Sequence, residues 1–113
     1  MTRDPRVLCR LEAIADGQAK GFAVAPDGAA PVDIFVVRVG DAVFGYVNSC
    51  PHTGLNLDWV EDRFIDADGS YILCANHGAL FRKTDGHCVA GPCAGDALKA
   101  VPVAVQGGDI VLI

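Results

Sequence analysis

The chain has 113 residues, 51% hydrophobic and 20% charged, which predicts one globular domain rather than a disordered chain. A net charge of −5 without a basic cluster excludes nucleic acid as an expected partner. No apolar run approaches the ~18 residues that span a bilayer, and the N-terminus shows no export signal, so we expect a cytoplasmic protein without membrane contact. Five cysteines in such a compartment favour metal binding or core packing over disulfides.

Short β runs separated by glycine, proline and aspartate turns predict an all-β fold. The best helical candidate, Leu11 to Ala15, is too short to form a stable helix. In chain order, the predicted strands are Val7 to Leu11, Gly21 to Ala25, Val32 to Val39, Ala42 to Val47, Trp59 to Val60, Arg63 to Ile65, Tyr71 to Leu73, Ala79 to Arg82, His87 to Val89, Ala97 to Val105 and Ile110 to Ile113. Short strands at this spacing are typical of an antiparallel β sandwich or barrel.

Two of the predicted connections are hairpins. Gly40-Asp41 joins the third and fourth strands by a two-residue turn, which is a common hairpin connection. The turn from Gln106 to Asp109 joins the last two strands.

The candidate site is a pair of short motifs, Cys50-Pro51-His52 and Cys74-Ala75-Asn76-His77, separated by twenty-one residues. Each motif brings one thiolate and one imidazole, which suit zinc, copper or iron–sulfur centres. Each also follows directly after a hydrophobic strand. If these two strands run side by side, both motifs lie at one tip of the fold.

Buried cysteines and lone histidines are usually structural, so no single member of this set is diagnostic. Together they are, because the chain has only three histidines and two of them stand beside cysteines. Structural zinc sites also use two cysteines with two histidines, but they usually pair like with like along the sequence. A mixed pair in each motif instead suits two metals, if one iron takes both cysteines and the other takes both histidines.

The chain resembles a Rieske-type [2Fe–2S] ferredoxin from about Val7 to its C-terminus. The resemblance rests on Cys50 to Leu55, Cys74 to Phe81, the turn Thr84-Asp85-Gly86, and Gly91-Pro92. It implies an all-β, Rieske-like antiparallel sandwich or barrel with a small cluster-binding subdomain. We expect one domain spanning residues 1–113, with the subdomain at about residues 48–93.

The resemblance further implies a [2Fe–2S] cofactor, with Cys50 and Cys74 on one iron and His52 and His77 on the other. Protein and sulfide ligands then fill every coordination site, so we expect a one-electron carrier and not an enzyme. A Rieske oxygenase also needs a mononuclear iron held by two histidines and a carboxylate, and only His87 remains in this sequence.

The expected role is the ferredoxin of a multicomponent oxygenase, passing electrons from a flavin-dependent reductase to a terminal oxygenase. Two alternatives stay open. One is a small subunit of an assimilatory nitrite reductase, although the intact ligand set weighs against the degenerate site of those subunits. The other is a zinc-binding structural or interaction module without a redox role.

Residues beside the ligands predict a low reduction potential. Rieske proteins of cytochrome bc-type complexes carry a disulfide at positions that here are Leu55 and Asn76, and hydroxyl groups at positions that here are Ala79 and Phe81. Fewer hydrogen bonds to sulfur stabilise the reduced state less. We therefore expect a potential on the order of −150 mV, near the low end of the Rieske range.

The remaining cysteines and an acidic segment have structural interpretations. Cys9 and Cys88 are expected to be buried, and a structural role is also expected for Cys93. The acidic segment most simply forms a solvated face, with a docking patch for a basic redox partner as the alternative; its members are Asp58, Glu61, Asp62, Asp66 and Asp68.

Overall fold

The computed structural model describes residues 7–24, 32–49, 57, 64–66, 69–74, 78–91 and 95–113. This part of the chain is built from antiparallel β strands and one 3-10 turn, Leu11–Ala13, within the segment that offered the best helical candidate. The strands are β1 (Val7–Arg10), β2 (Ala19–Val24), β3 (Val32–Val39), β4 (Ala42–Val47), β5 (Ile72–Cys74), β6 (Ala79–Phe81), β7 (Cys88–Ala90), β8 (Ala100–Val101), β9 (Val103–Gln106) and β10 (Asp109–Leu112). No helix among the described residues is long and apolar enough to cross a membrane.

The central sheet has the order β2-β3-β4-β8 and contains the predicted β3–β4 hairpin. Four consecutive residues of β3, Ile34 to Val37, are buried, so both faces of this strand are covered. Phe35 and Val37 pack into one core cluster and Val36 into a second, because alternate side chains of a strand point to opposite faces. The central sheet therefore lies between two hydrophobic cores.

The second sheet, β1-β10-β9, contains the predicted closing hairpin. The prediction of one strand from Ala97 to Val105 is wrong. Pro102 separates β8, which pairs with β4, from β9, which pairs with β10. Proline has no N–H to donate to a ladder, so the chain changes from one sheet to the other at this residue.

The third sheet, β5-β6-β7, consists of strands of only three residues. Its strands lie within one residue of their predicted bounds. Before it, Ile65 forms an isolated bridge with Ile72 and not a full strand. The predicted strand Trp59 to Val60 lies outside the described residues.

The strands that precede the two motifs do not run side by side as expected. β4 belongs to the central sheet, where its two edges are occupied by β3 and β8, whereas β5 belongs to the third sheet. The two sheets meet instead through side-chain packing. The ring of Phe35 stacks on that of Phe64 with centroids 4.4 Å apart, and Phe64 accepts a backbone hydrogen bond from Leu73.

Lys83 connects three turns beside the third sheet through hydrogen bonds. Its ammonium donates hydrogen bonds to the carbonyl oxygens of Gly17, at 2.9 Å, and Gly69. Its own carbonyl accepts a 2.8 Å hydrogen bond from the hydroxyl of Tyr46 on β4. The turn that follows β6 is therefore fixed to both the central sheet and the turn before β5.

Candidate metal centre

Of the predicted ligands, Cys74 lies among the described residues, while Cys50, His52 and His77 lie outside them. Cys74 is the last residue of β5 and its side chain is fully buried. It pairs across the ladder with Ala79, so the two side chains share one face of the sheet. The second motif therefore begins at a fixed, buried position.

A tight hairpin loop carries the second motif from β5 to β6. The N–H of Gly78 donates a 2.9 Å hydrogen bond to the carbonyl of Cys74, which closes the loop next to the Cys74–Ala79 ladder pair. Gly78 has φ +70°, a conformation that side chains other than glycine rarely adopt. The ends of the segment that contains His77 are thus set by the backbone itself.

The loop of the first motif is held at both ends by a single side chain. Asn48, directly after β4, is buried, and its Oδ1 accepts a 2.8 Å hydrogen bond from the N–H of Leu57. The N–H of Asn48 donates to the carbonyl of Asp33, which fixes the residue to the central sheet. This bond encloses the segment that contains Cys50 and His52.

The ends of both loops lie in the same core. Three residues at these ends are fully buried: Leu57, Cys74 and Ala79. They belong to one core cluster, together with Phe35 and Phe64. The core, and not strand pairing, therefore brings the two loop ends into one region.

The third loop of the predicted site starts against Ala79, the first residue of β6. A Cβ atom on Gly91 would lie 2.7 Å from the Cα of Ala79, and Gly91 has φ +92°. Only glycine allows this approach, because a side chain would collide with the β6 backbone. The residues that follow, Pro92 and Cys93, lie outside the described residues.

The described part of the site fits a cluster bound through thiolate. A cysteine in apolar surroundings normally stays protonated, and a bound metal supplies the positive charge that stabilises the thiolate. The neighbours on this side are small: Ala79 pairs with Cys74 across the ladder, and Gly91 lies against Ala79. Buried thiolate sulfur is a preferred ligand of iron–sulfur clusters.

Cys9, Cys88 and His87 have structural surroundings. Cys88 is buried as expected, and its Sγ lies 3.2 Å from the carbonyl oxygen of Ala90 as a hydrogen-bond donor. Cys9 is only half-buried, and burial raises the pKa of its thiol. The N–H of His87 donates to the carboxylate of Asp85, which closes the turn after β6.

One member of the acidic segment, Asp66, also has a structural role. Its Oδ1 accepts hydrogen bonds from the N–H groups of Ser70 and Tyr71, at 2.9 and 3.2 Å, so its carboxylate forms the turn before β5. The other four acidic residues of the segment lie outside the described residues.

Sequence reasoning missed the residues that hold the loops. Asn48 was a usable signal, because asparagine at the end of a strand often bonds to nearby backbone groups. The contact of Gly91 with Ala79 had no such signal, since it depends on where the third loop crosses β6.

Comparison with known proteins identifies the family. The Rieske [2Fe–2S] domain profile matches residues 4–105. The chain belongs to this family. Its cofactor is therefore a [2Fe–2S] cluster and its role is electron transfer, as the sequence predicted. Among curated protein sequences, none matches this chain significantly.

Solved structures of similar proteins include separate ferredoxins. The ferredoxin of carbazole 1,9a-dioxygenase from Nocardioides aromaticivorans IC177 is 30% identical, with a TM-score of 0.69 over 95% of this chain and 93% of that chain. The ferredoxin of Sphingomonas yanoikuyae B1 is 28% identical, with a TM-score of 0.68 over 94% of each chain. These matches confirm the predicted all-β, antiparallel Rieske ferredoxin fold.

Two further structures place the same fold in other settings. A chain in the complex of reduced oxygenase and oxidised ferredoxin of carbazole 1,9a-dioxygenase is 27% identical, with a TM-score of 0.71 over 95% of this chain and 99% of that chain. The terminal oxygenase from Novosphingobium sp. KA1 is 24% identical, with a TM-score of 0.73, and the match covers 93% of this chain but 28% of the oxygenase. The latter likeness shows a shared fold only.

Proposed function

We propose that this protein is the ferredoxin component of a multicomponent oxygenase, carrying single electrons from a flavin-dependent reductase to a terminal oxygenase. The strongest support is the extent of the similarity to separate ferredoxins, which covers 93% and 94% of their chains. A ferredoxin–oxygenase complex among the similar structures supports the oxygenase as the acceptor. The reductase is inferred from the chemistry, because a carrier that reduces an oxygenase must itself be reduced.

The proposed ligand set is Cys50 and Cys74 on one iron, with His52 and His77 on the other. The two ferric ions contribute +6, and two sulfides and two thiolates contribute −4 and −2, so the oxidised site is neutral, accepts one electron readily and releases it again. The chain's own residues provide the environment. Cys74 fixes one thiolate in the apolar core, and the hairpin closed by Gly78 fixes the ends of the segment that carries His77.

The proposed organisation is a single domain over residues 1–113, with a cluster-binding subdomain at about residues 48–93. The short third sheet and its attachment through Phe64 to the central sheet support this division. The proposed location is the cytoplasm, where the cysteines would remain reduced until they bind iron.

Iron and sulfide analysis of the purified protein tests the cluster. We expect about two irons and two acid-labile sulfides per chain, and visible absorption that bleaches with dithionite. Cys50→Ser and Cys74→Ser should lose the cluster, while Cys88→Ser, the same change at a buried cysteine outside the ligand set, should keep it. One zinc per chain in a colourless protein would instead support the structural-module alternative.

Reconstitution tests the partners. With a flavin reductase, NADH and a terminal oxygenase, the protein should support product formation, and its Cys74→Ser variant should not. Electron delivery to a nitrite reductase and to no oxygenase would contradict the proposed role and favour the nitrite reductase alternative.

A further inference from the structure

We propose that Asn48 is a positioning residue that holds the first cluster loop in its metal-binding shape. This inference rests on the proposed ligand role of Cys50 and His52. Asn48 and Leu57 enclose the loop that contains both residues, and a 2.8 Å hydrogen bond joins the asparagine Oδ1 to the leucine N–H. In this proposal Asn48 acts on the ligands through the loop and is not itself a ligand.

Both ends of this bond are immobilised by the rest of the fold. On one side, the N–H of Asn48 bonds to the carbonyl of Asp33, and the N–H of the preceding residue, Val47, bonds to the carbonyl of Lys99. On the other side, the side chain of Leu57 is fully buried in the core cluster that contains Cys74. The bond therefore fixes the two ends of the loop relative to the buried cysteine of the second motif.

A purely structural interpretation would treat Asn48 as a group that merely satisfies the buried N–H of Leu57. The placement of the bond argues for more. It joins the two residues that flank the first motif, and the enclosed segment supplies two of the four proposed ligands. Groups that orient metal ligands from outside the coordination sphere affect both metal retention and redox properties.

Three variants separate the two roles. Asn48→Ala removes the acceptor, and Asn48→Asp keeps an oxygen acceptor at the same place. Val36→Ala is the matched control, because it removes volume from a fully buried site in the other core cluster, with Ile14 and Ile110. Denaturant unfolding of the cluster-free forms shows whether the Ala variants are comparably destabilised.

The first readout is cluster retention, measured as the decay of visible absorbance in the presence of an iron chelator. Loss of a buried hydrogen bond that supports the loop should accelerate the decay about tenfold in Asn48→Ala. Asn48→Asp should decay at a rate between those of the wild type and Asn48→Ala, because the oxygen acceptor remains while the amide donor is lost and a carboxylate is placed at a buried site. Val36→Ala should also stay within about threefold at similar loss of stability.

The second readout is the electron paramagnetic resonance spectrum of the reduced protein. A loop with several conformations should broaden the signal in Asn48→Ala, and the signal of Val36→Ala should keep its width. Equal behaviour of Asn48→Ala and Val36→Ala in both readouts would overturn the positioning role. A wild-type protein without iron would overturn the proposed function and this inference together, whereas an iron-loaded wild type with an unaffected Asn48→Ala would overturn this inference alone.

Discussion

Ala79 and Phe81 are fully buried on the face of β6 that pairs with Cys74 and Ile72, so their chemistry bears directly on the proposed cluster. Neither can donate a hydrogen bond through its side chain. The Rieske proteins of cytochrome bc-type complexes, from which this chain differs here, carry hydroxyl groups at the matching positions. The predicted low potential follows from this difference.

Adding the hydroxyl groups should raise the reduction potential. In Ala79→Ser or Phe81→Tyr, each new hydrogen bond to sulfur would stabilise the reduced, more negative state. A bond worth about 1 kcal/mol corresponds to a rise on the order of 40 mV for a one-electron couple. Potentiometric titration measures the change, with Ala19→Ser as the control because Ala19 is buried in the same core cluster but on β2.

The potential of the unaltered protein should be near the low end of the range, on the order of −150 mV. A value above about +100 mV, or a fall in potential in both hydroxyl variants, would contradict the assignment of Ala79 and Phe81.

Tyr46 makes the free energy of unfolding fall as the pH rises through the alkaline range. Burial, reinforced by the nearby Asp85 carboxylate, raises the pKa of Tyr46 to about 12. The unfolded chain releases this proton near pH 10, and the folded chain keeps it until about pH 12. The stabilisation is therefore fully present below pH 10 and is lost progressively as the pH rises towards 12.

We expect Tyr46→Phe to remove this alkaline loss. At neutral pH the variant should be less stable by about 0.5–1.5 kcal/mol, because the hydrogen bond to the Lys83 carbonyl is absent. Between pH 10 and 11.5 the difference from the wild type should shrink by at most about 1.4 kcal/mol per pH unit. Denaturant unfolding across this range measures it, and Tyr71→Phe, at an exposed tyrosine, should retain the wild-type slope.

At the scale of elements, glycine allows the start of the third loop to lie close to β6. Gly91 and Gly95 flank this loop and both have positive φ, +92° and +97°. A Cβ on Gly91 would meet the β6 backbone at Ala79, whereas a Cβ on Gly95 would meet nothing within 4 Å. The two positions therefore share backbone strain and differ in steric contact.

Gly91→Ala should destabilise the protein more than Gly95→Ala. Both substitutions place alanine at a positive φ, which costs about 1–2 kcal/mol, and Gly91→Ala must in addition move β6 or the third loop. The midpoint temperature of thermal unfolding and the iron content per chain should both fall in Gly91→Ala. In Gly95→Ala the midpoint temperature should fall less, and the iron content should be unchanged. Equal effects at both positions would show that the close approach to Ala79 has no consequence.

The elements also show which parts of the fold are readable from the sequence. β3 and β4 match their predicted bounds, because the hydrophobic runs are long and the Gly40-Asp41 turn is unambiguous. The single strand predicted through Pro102 failed, since composition records β propensity but not which sheet each half joins. The proposed ligand motifs were identified from residue chemistry. Asn48 at the end of β4 signalled a bond to nearby backbone, but its partner, Leu57, could not be read from the sequence.

On the scale of the whole molecule, the two hydrophobic cores differ in their relation to the proposed iron–sulfur site. The core of Ile14, Val36 and Ile110 lies on the face of β3 opposite Phe35, and the one proposed ligand that the structure describes, Cys74, lies in the other core. The core with Cys74 also includes residues of β3 and β4, so it joins the third sheet to the central one. The central sheet is thus supported from both faces, and the third sheet depends on the core that contains Cys74 and on its loops.

Removal of the [2Fe–2S] cluster should therefore loosen one part of the molecule. We expect the amides of β2, β3 and β4 to keep their protection from hydrogen exchange in the cluster-free protein, because packing on both faces of β3 remains. The three-residue strands β5, β6 and β7 should lose protection, since few ladder hydrogen bonds hold them and metal binding at their loops contributes folding energy. Hydrogen exchange of the loaded and cluster-free forms, followed by mass spectrometry of peptides from each sheet, measures the difference.

Val36→Ala in the loaded protein is the control, and it should weaken the protection of β3 while the third sheet keeps its protection. A uniform loss of protection on removal of the cluster would show that the two sheets unfold as one unit and would contradict the division into two parts.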